Sequence, residues 1–156
     1  MSQDFYLGNP NLKKVGTEIQ FTKDQIQEYL KCKEDPVYFA MTYIKIISLD
    51  EGIVPFKMWD FQQELIESFH ENRFNIAKLP RQTGKSTTCV SYLLHYILFN
   101  DNVNVGILAN KLSTARDLLG RLQLAYEQLP MWLQQGIVVY NKGSMELENG
   151  SKILAA

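Results

Sequence analysis

Cysteine is scarce in this 156-residue chain: the two present, Cys32 and Cys89, stand without other metal ligands at a recognisable spacing and suit a reducing compartment. Histidine is equally sparse, and His70 and His95 are isolated, with no cluster pointing to a metal or a catalytic pair. A histidine on an apolar helix, as His95 is, reads as a hydrogen-bonded packing residue. Long apolar runs are missing too. No stretch approaches the roughly eighteen residues of a membrane span, and no basic head followed by an apolar run opens the chain, so neither a span nor a signal peptide is expected. Charge of one sign is also lacking, because 16 Lys and Arg face 17 Asp and Glu, a formal net charge of -1. That balance argues against a dominant nonspecific nucleic-acid binder and leaves room for a local basic channel. What remains is a globular composition, 46% hydrophobic and 21% charged, in a chain long enough for one domain with a real core.

Residues 1–20 read as irregular, with a turn at Gly8-Asn9-Pro10-Asn11. A first helix is expected from Thr22, with Gln25 as the reciprocal cap and Ile26, Tyr29 and Leu30 as its stripe. A second starts at Asp35-Pro36, a cap residue followed by proline in the first helical position, and its apolar positions run through Ile44 and Ile47. Asp50-Glu51-Gly52 turns the chain into an extended piece around Ile53–Met58. A third helix opens at Asp60, with Gln63 as the expected capping glutamine and Phe61, Leu65, Ile66 and Phe69 on one face. Arg73–Leu79 reads as a strand and Lys85–Phe99 as a helix packed on a sheet. Val103–Ala109 is a buried parallel strand, and a helix capped by Ser113 runs to Leu129. Three short strands follow, Ile137–Tyr140, Ser144–Leu147 and Lys152–Leu154, with Asn149-Gly150 favouring a tight hairpin. The order predicts an α/β fold: a partial, largely parallel sheet flanked by helices, with a small helical region over residues 1–52 and a C-terminal hairpin.

Between the Arg73–Leu79 strand and the Lys85–Phe99 helix lies Pro80-Arg81-Gln82-Thr83-Gly84-Lys85-Ser86. A phosphate-binding loop needs inward-facing amides and a glycine where a side chain would collide with phosphate. It also needs a lysine for the terminal phosphates and a hydroxyl for magnesium, all at a helix mouth. Gly84, Lys85 and Ser86 are those last three residue types. Pro80 stands where the usual first glycine would be, so the strict pattern fails. The bland alternative is a surface turn that caps a helix. Arg81 could reach the transferring phosphoryl oxygens or could be a solvated loop arginine. Gln62, after Phe61, is either a reader of the adenine edge or a solvent-facing helix residue. Lys111 and Arg116, beyond the end of the Val103–Ala109 strand, could touch nucleic acid or a moving neighbour, or remain solvated. Trp59 and Trp132 read as core and edge material.

Taken together, these motifs resemble the N-terminal ATPase region of the large terminase subunit, the DNA-packaging motor of tailed bacteriophages, particularly the T-even-like group, over roughly Gly8 to Leu154. The family's adenine segment is similar to Trp59-Asp60-Phe61-Gln62, and its deviant phosphate loop to Arg81-Gln82-Thr83-Gly84-Lys85-Ser86. Weaker likenesses cover Val105–Lys111 and Gly136–Ser151. The resemblance implies a P-loop ATPase fold of the RecA-like kind, begun by residues 53–156, with ATP and Mg2+ as cofactors. It implies nucleotide contacts from Gln62, Arg81, Gln82, Thr83, Gly84, Lys85, Ser86 and Thr87. Within that set, Lys85 would bind the β- and γ-phosphates, Arg81 would sense the γ-phosphate and Ser86 would hold the metal. Expected partners are double-stranded DNA, the portal protein, the small terminase subunit and a ring of identical subunits. The expected location is the cytoplasm of an infected bacterium, docked on the procapsid, and not the mature virion or a membrane.

The family continues into a magnesium-binding aspartate, a water-activating glutamate and a nuclease domain, whereas no acidic residue follows Glu148 here. The expectation is therefore an expression fragment, an incomplete sequence or one piece of an interrupted gene, binding ATP weakly by itself and hydrolysing it negligibly. Rival expectations are a helicase-like DNA translocase fragment and a non-catalytic assembly module that keeps ATP as structural glue. A small-molecule kinase would normally keep the first glycine.

Overall fold

The computed structural model describes residues 4–48 and 50–156. The expected irregular N-terminus is observed from residue 4, and its first three positions lie outside the described residues. Helix α1 (Lys23–Glu34) begins as its residue chemistry requires: Thr22 Oγ1 accepts from the Gln25 amide at 3.2 Å, and the Gln25 side chain accepts from the Thr22 amide at 3.0 Å. Its buried residue is Cys32, whereas Ile26 and Leu30, expected in the stripe, are half exposed. Asp35 Oδ1 caps α2 (Pro36–Tyr43) through the Tyr38 amide at 2.8 Å. Glu28 then joins the two helices by accepting from the Tyr38 and Tyr43 hydroxyls.

Helix α2 ends at Tyr43 and does not continue through Ile47 as the apolar spacing predicts. Ile44 is the C-cap, and the β-branched run enters β1 (Lys45–Ser48), which pairs antiparallel with β2 (Gly52–Pro55). β-Branched side chains are stiff at χ1 and fit a pleated strand better than a helix. Helix α3 (Asp60–Glu71) is closed by Gln62 and not by Gln63. The Gln62 Oε1 accepts from the Trp59 amide at 3.0 Å, because the N-cap is Trp59 and Gln62 stands three residues beyond it.

Helix α4 (Lys85–Phe99), strand β3 (Asn104–Ile107), helix α5 (Leu112–Glu127) and strands β4 (Ile137–Tyr140), β5 (Ser144–Leu147) and β6 (Lys152–Ala155) complete the chain. Lys111, not Ser113, is the N-cap of α5, and its side chain makes no capping bond. The four-stranded sheet has the order β3-β6-β5-β4. It is mixed and not largely parallel: β3 and β6 are parallel, while β6–β5 and β5–β4 are antiparallel. The two tight turns, Asn141–Gly143 and Glu148–Ser151, leave no room for crossover helices, so the last three strands must meander.

The expected strand at Arg73–Leu79 does not form. The segment has no regular secondary structure, pairs with no described strand and leaves Phe74 83% and Ile76 101% exposed. β-Propensity stabilises a strand only through neighbours on its faces and edges, and this segment has neither.

The architecture is thus mixed α/β, with five α-helices and two sheets among the described residues. One continuous core joins the early helices to the late sheet, running from Phe39 and Ile44 through Leu94, Ile97, Leu119 and Tyr126 to Met145 and Ile153. Each such aliphatic side chain contributes about 1.5–3 kcal/mol by leaving water. Among the described residues, no helix is long and apolar enough to cross a membrane.

Candidate functional site

The Pro80–Gly84 loop reaches the mouth of α4 through two left-handed residues, Gln82 at φ 61° and Gly84 at φ 70°. Glycine is needed at 84 twice over. Its backbone conformation strains any L side chain, and a Cβ there would lie 2.6 Å from Gln62 Nε2. The N-cap of α4 offers no side-chain cap, and the first turn holds no acidic residue. The first helical bond closes at Thr88, whose amide donates to the Gly84 carbonyl at 3.0 Å. The amides of Lys85, Ser86 and Thr87 therefore lie ahead of the helical ladder, at the positive end of a 15-residue helix. This is the arrangement in which a helix end receives phosphate.

The loop is held from inside and from behind. Thr83 Oγ1 donates to the Pro80 carbonyl at 3.0 Å. Lys85 Nζ donates to the carbonyls of Leu79 at 3.3 Å and Pro80 at 3.4 Å, so the ammonium rests on the loop's own backbone. From α3, the buried Gln62 donates through Nε2 to the Thr83 carbonyl at 3.0 Å. Gln62 is therefore neither solvent-facing nor wholly free to read a base. One N–H and one oxygen lone pair of its amide are engaged, and one of each remains.

Arg81 and Gln82 are exposed on the rim, and no hydrogen bond or ion pair to the Arg81 guanidinium occurs among the described residues. Ser86 and Lys85 face a cleft of about 290 Å³ shared with Cys89, Gly106, Ile107 and Leu108, at the carboxyl end of β3. Ligands of open α/β sheets bind at such strand ends. Burial raises the Cys89 thiol pKa against the smaller opposing influence of Lys85, which keeps the thiol protonated beside the cleft. Thr87 is half-buried and turns toward a different groove.

One residue of the site is not evident from the motif. Thr88 is fully buried, and its hydroxyl donates to the Gly84 carbonyl at 3.0 Å, tying down the residue that turns the loop into the helix. Its position after Gly-Lys-Ser-Thr was the available signal. Trp59, read as core or edge material, is 66% exposed at the start of α3, an edge position. Glu148 is committed elsewhere, accepting from the Gly16 amide at 3.1 Å and lying 3.8 Å from Lys13 Nζ. Among the described residues, no group of three or more His, Cys, Asp or Glu could hold a metal ion. No family model matches the chain.

Proposed function

We propose that this chain is the nucleotide-binding part of a P-loop ATPase, the large terminase subunit that drives double-stranded DNA into a procapsid. The observation that carries the nucleotide reading is the mouth of α4. There, uncapped amides and a left-handed Gly84 with no space for a side chain stand beside Lys85, whose Nζ rests on the Leu79 and Pro80 carbonyls. These residues fit a polyphosphate. The amides of Lys85, Ser86 and Thr87 would receive phosphate oxygens, and Lys85 Nζ would exchange two backbone carbonyls for the β- and γ-phosphates. Bound ATP with Mg2+ supplies the phosphoryl group whose transfer to water releases the energy for movement.

Arg81, on the rim, is the γ-phosphate sensor in this scheme, and the Ser86 hydroxyl is one magnesium ligand. The free half of the Gln62 amide is the candidate base contact. The terminase assignment within the ATPases rests on Arg81-Gln82-Thr83-Gly84-Lys85-Ser86 and on Trp59-Asp60-Phe61-Gln62 together. With it come the portal protein, the small subunit, a ring of like subunits and the host cytoplasm as proposed setting.

The test is equilibrium titration of the chain with a fluorescent ATP analogue, with and without magnesium. Binding that weakens at least about tenfold in Lys85→Ala, a loss of about 1.4 kcal/mol, is the expected result. Unchanged affinity in that variant would overturn the proposal. Nucleotide binding that tightens assembly, with no turnover even alongside the rest of a terminase, would instead favour the non-catalytic module.

A further inference from the structure

The apolar stripe of α1 is only half used by the fold. Cys32 is the helix's buried residue, and Tyr29 packs edge-on against Phe99 with ring centroids 5.2 Å apart. Ile26 and Leu30, one helical turn from each other, remain 49% and 50% exposed, and Phe21, just ahead of the helix, 43%. With Trp132 and Leu133 these three line a hollow of about 340 Å³ between α1 and the 3-10 turn at Met131–Leu133. The polar side chains of the hollow are committed elsewhere. Gln134 Nε2 donates to the carbonyls of Asn11, Tyr126 and Leu129, while its Oε1 accepts from the Lys13 amide. Gln135 Nε2 donates to the Leu98 carbonyl, and Lys13 Nζ lies 3.8 Å from Glu148. What the hollow presents to a ligand is therefore mainly hydrocarbon and indole, the surface that gains most by leaving water.

A second observation is the charge around it. At about 100° per residue, Lys23 and Lys33 fall within about 60° of both Ile26 and Leu30 around α1. Both lysines are exposed, and neither joins an ion pair among the described residues. The carboxylate of α1 nearest that face is Glu34. Asp24 falls on the far side, and Glu28 accepts from the Tyr38 and Tyr43 hydroxyls. The apolar hollow thus has a rim on which positive charge predominates. Phe99, against which Tyr29 packs, is the last residue of the 15-residue α4, about 20 Å along the axis from Lys85 at its start. The hollow is therefore separate from the Pro80–Gly84 loop.

We infer that this hollow docks an amphipathic helix of a protein partner, with apolar anchors seated between Ile26, Leu30 and Trp132 and acidic residues facing Lys23 and Lys33. Shape and sign agree here, because helix-in-groove sites combine a concave apolar centre, often aromatic, with a charged rim. A second copy of this chain docked on itself through the same face would set Lys23 and Lys33 against their own counterparts, and like charges oppose that. A lipid surface takes a projecting apolar face, whereas Trp132 lines a concavity. A small molecule needs enclosure of most of its own surface, which walls that are themselves half exposed do not give. The site goes beyond the nucleotide proposal and does not rest on it.

The experiment is selection of a phage-displayed random peptide library, long enough for about four helical turns, on the immobilised full chain, followed by titration of the enriched peptides. Those peptides are expected to carry large apolar residues at i, i+3 or i+4, and i+7, with Asp or Glu beside them. In a Trp59→Phe background Trp132 is the remaining tryptophan, and its emission should shift to the blue as the peptide excludes water. Ile26→Ser/Leu30→Ser should weaken binding more than tenfold. Lys23→Glu/Lys33→Glu should weaken it several-fold and reduce its salt dependence. The lysine variant leaves the apolar packing untouched, so it tests the site even where the serine variant destabilises the chain. Ile53→Ser, a half-exposed aliphatic on β2, is the control and should bind as the wild type does. No enriched family, enrichment of basic peptides, unchanged Trp132 emission or equal loss in the control would each overturn the inference. Binding to phosphatidylserine vesicles that is lost in the same variants would overturn it in favour of a lipid surface. ATP titration of the lysine variant should match the wild type, so the docking site and the nucleotide proposal can fail independently.

Discussion

The Gln62 Nε2 donates to the Thr83 carbonyl at 3.0 Å while its Oε1 accepts from the Trp59 amide at 3.0 Å, so one side chain ties the start of α3 to the Pro80–Gly84 loop. The shape of the loop is thus set partly from an element about twenty residues upstream. Any nucleotide that moves the loop also presses on α3.

Gln62→Leu keeps the volume and removes both bonds, leaving a carbonyl and an amide without partners. An unpaired buried polar group costs about 1–3 kcal/mol, so urea unfolding followed by tryptophan fluorescence should show a loss of that order. ATP affinity should fall alongside it. Weaker nucleotide binding with wild-type stability would mean that the glutamine serves the base alone.

Gly84→Ala introduces a Cβ 2.6 Å from Gln62 Nε2 at a φ of 70°. The left-handed conformation alone costs about 1–2 kcal/mol, and the contact adds to it. In a Gln62→Ala background the contact disappears and the backbone cost stays. A double-mutant cycle should therefore return a coupling of about 0.5 kcal/mol or more. Strict additivity would show that the two residues do not meet.

His95 is buried against Phe39, Tyr92 and Phe99, with Nε2 2.8 Å from the Cys32 carbonyl oxygen. Facing a carbonyl, Nε2 carries the proton, and Nδ1 is left as a buried acceptor with no partner. Burial pushes the pKa down to about 4, so the ring is neutral in the folded chain. The unfolded chain takes up this proton first. Stability is therefore complete above about pH 6.5 and declines as pH falls toward 4, by at most about 3 kcal/mol. Unfolding free energies measured from pH 7.5 to 4.5 should show this slope in the wild type and a flatter one in His95→Phe. Parallel slopes would rule His95 out as their source.

Phe74→Lys and Ile76→Lys should each change stability by no more than about 0.5 kcal/mol, because both side chains already stand in water. Thermal melts settle the matter directly. A loss of several kcal/mol would show that the Arg73–Leu79 segment packs as an interior strand after all.

Much of the chain was legible because the signals are local. Thr22 with Gln25 and Asp35 with Pro36 specify helix starts through bonds within four residues. Asn141-Lys142-Gly143 and Asn149-Gly150 specify the turns that make β4, β5 and β6 a meander. Ile137–Tyr140 and Ser144–Leu147 were readable to the residue, since alternation and turn chemistry agree there. At the site, the amides and the lysine followed from Gly84-Lys85-Ser86, whose chemistry is confined to one loop and one helix end.

What failed was whatever depends on a distant partner. Arg73–Leu79 has the composition of a strand, yet a strand exists only when another edge accepts its hydrogen bonds, and composition does not carry that information. The partner of β3 was equally hidden. β3 pairs with β6, 45 or more residues further along the chain, and nothing local to either strand names the other. Gln62 had the right residue type for two tasks, and only packing α3 against the loop placed its Nε2 on Thr83. By itself, the sequence determined the starts of α1 and α2 and the turns between β4, β5 and β6, because each is settled within a few residues. Tertiary structure alone decided that β3 pairs with β6 and that Gln62 holds the Pro80–Gly84 loop, because each depends on groups brought together from far along the chain.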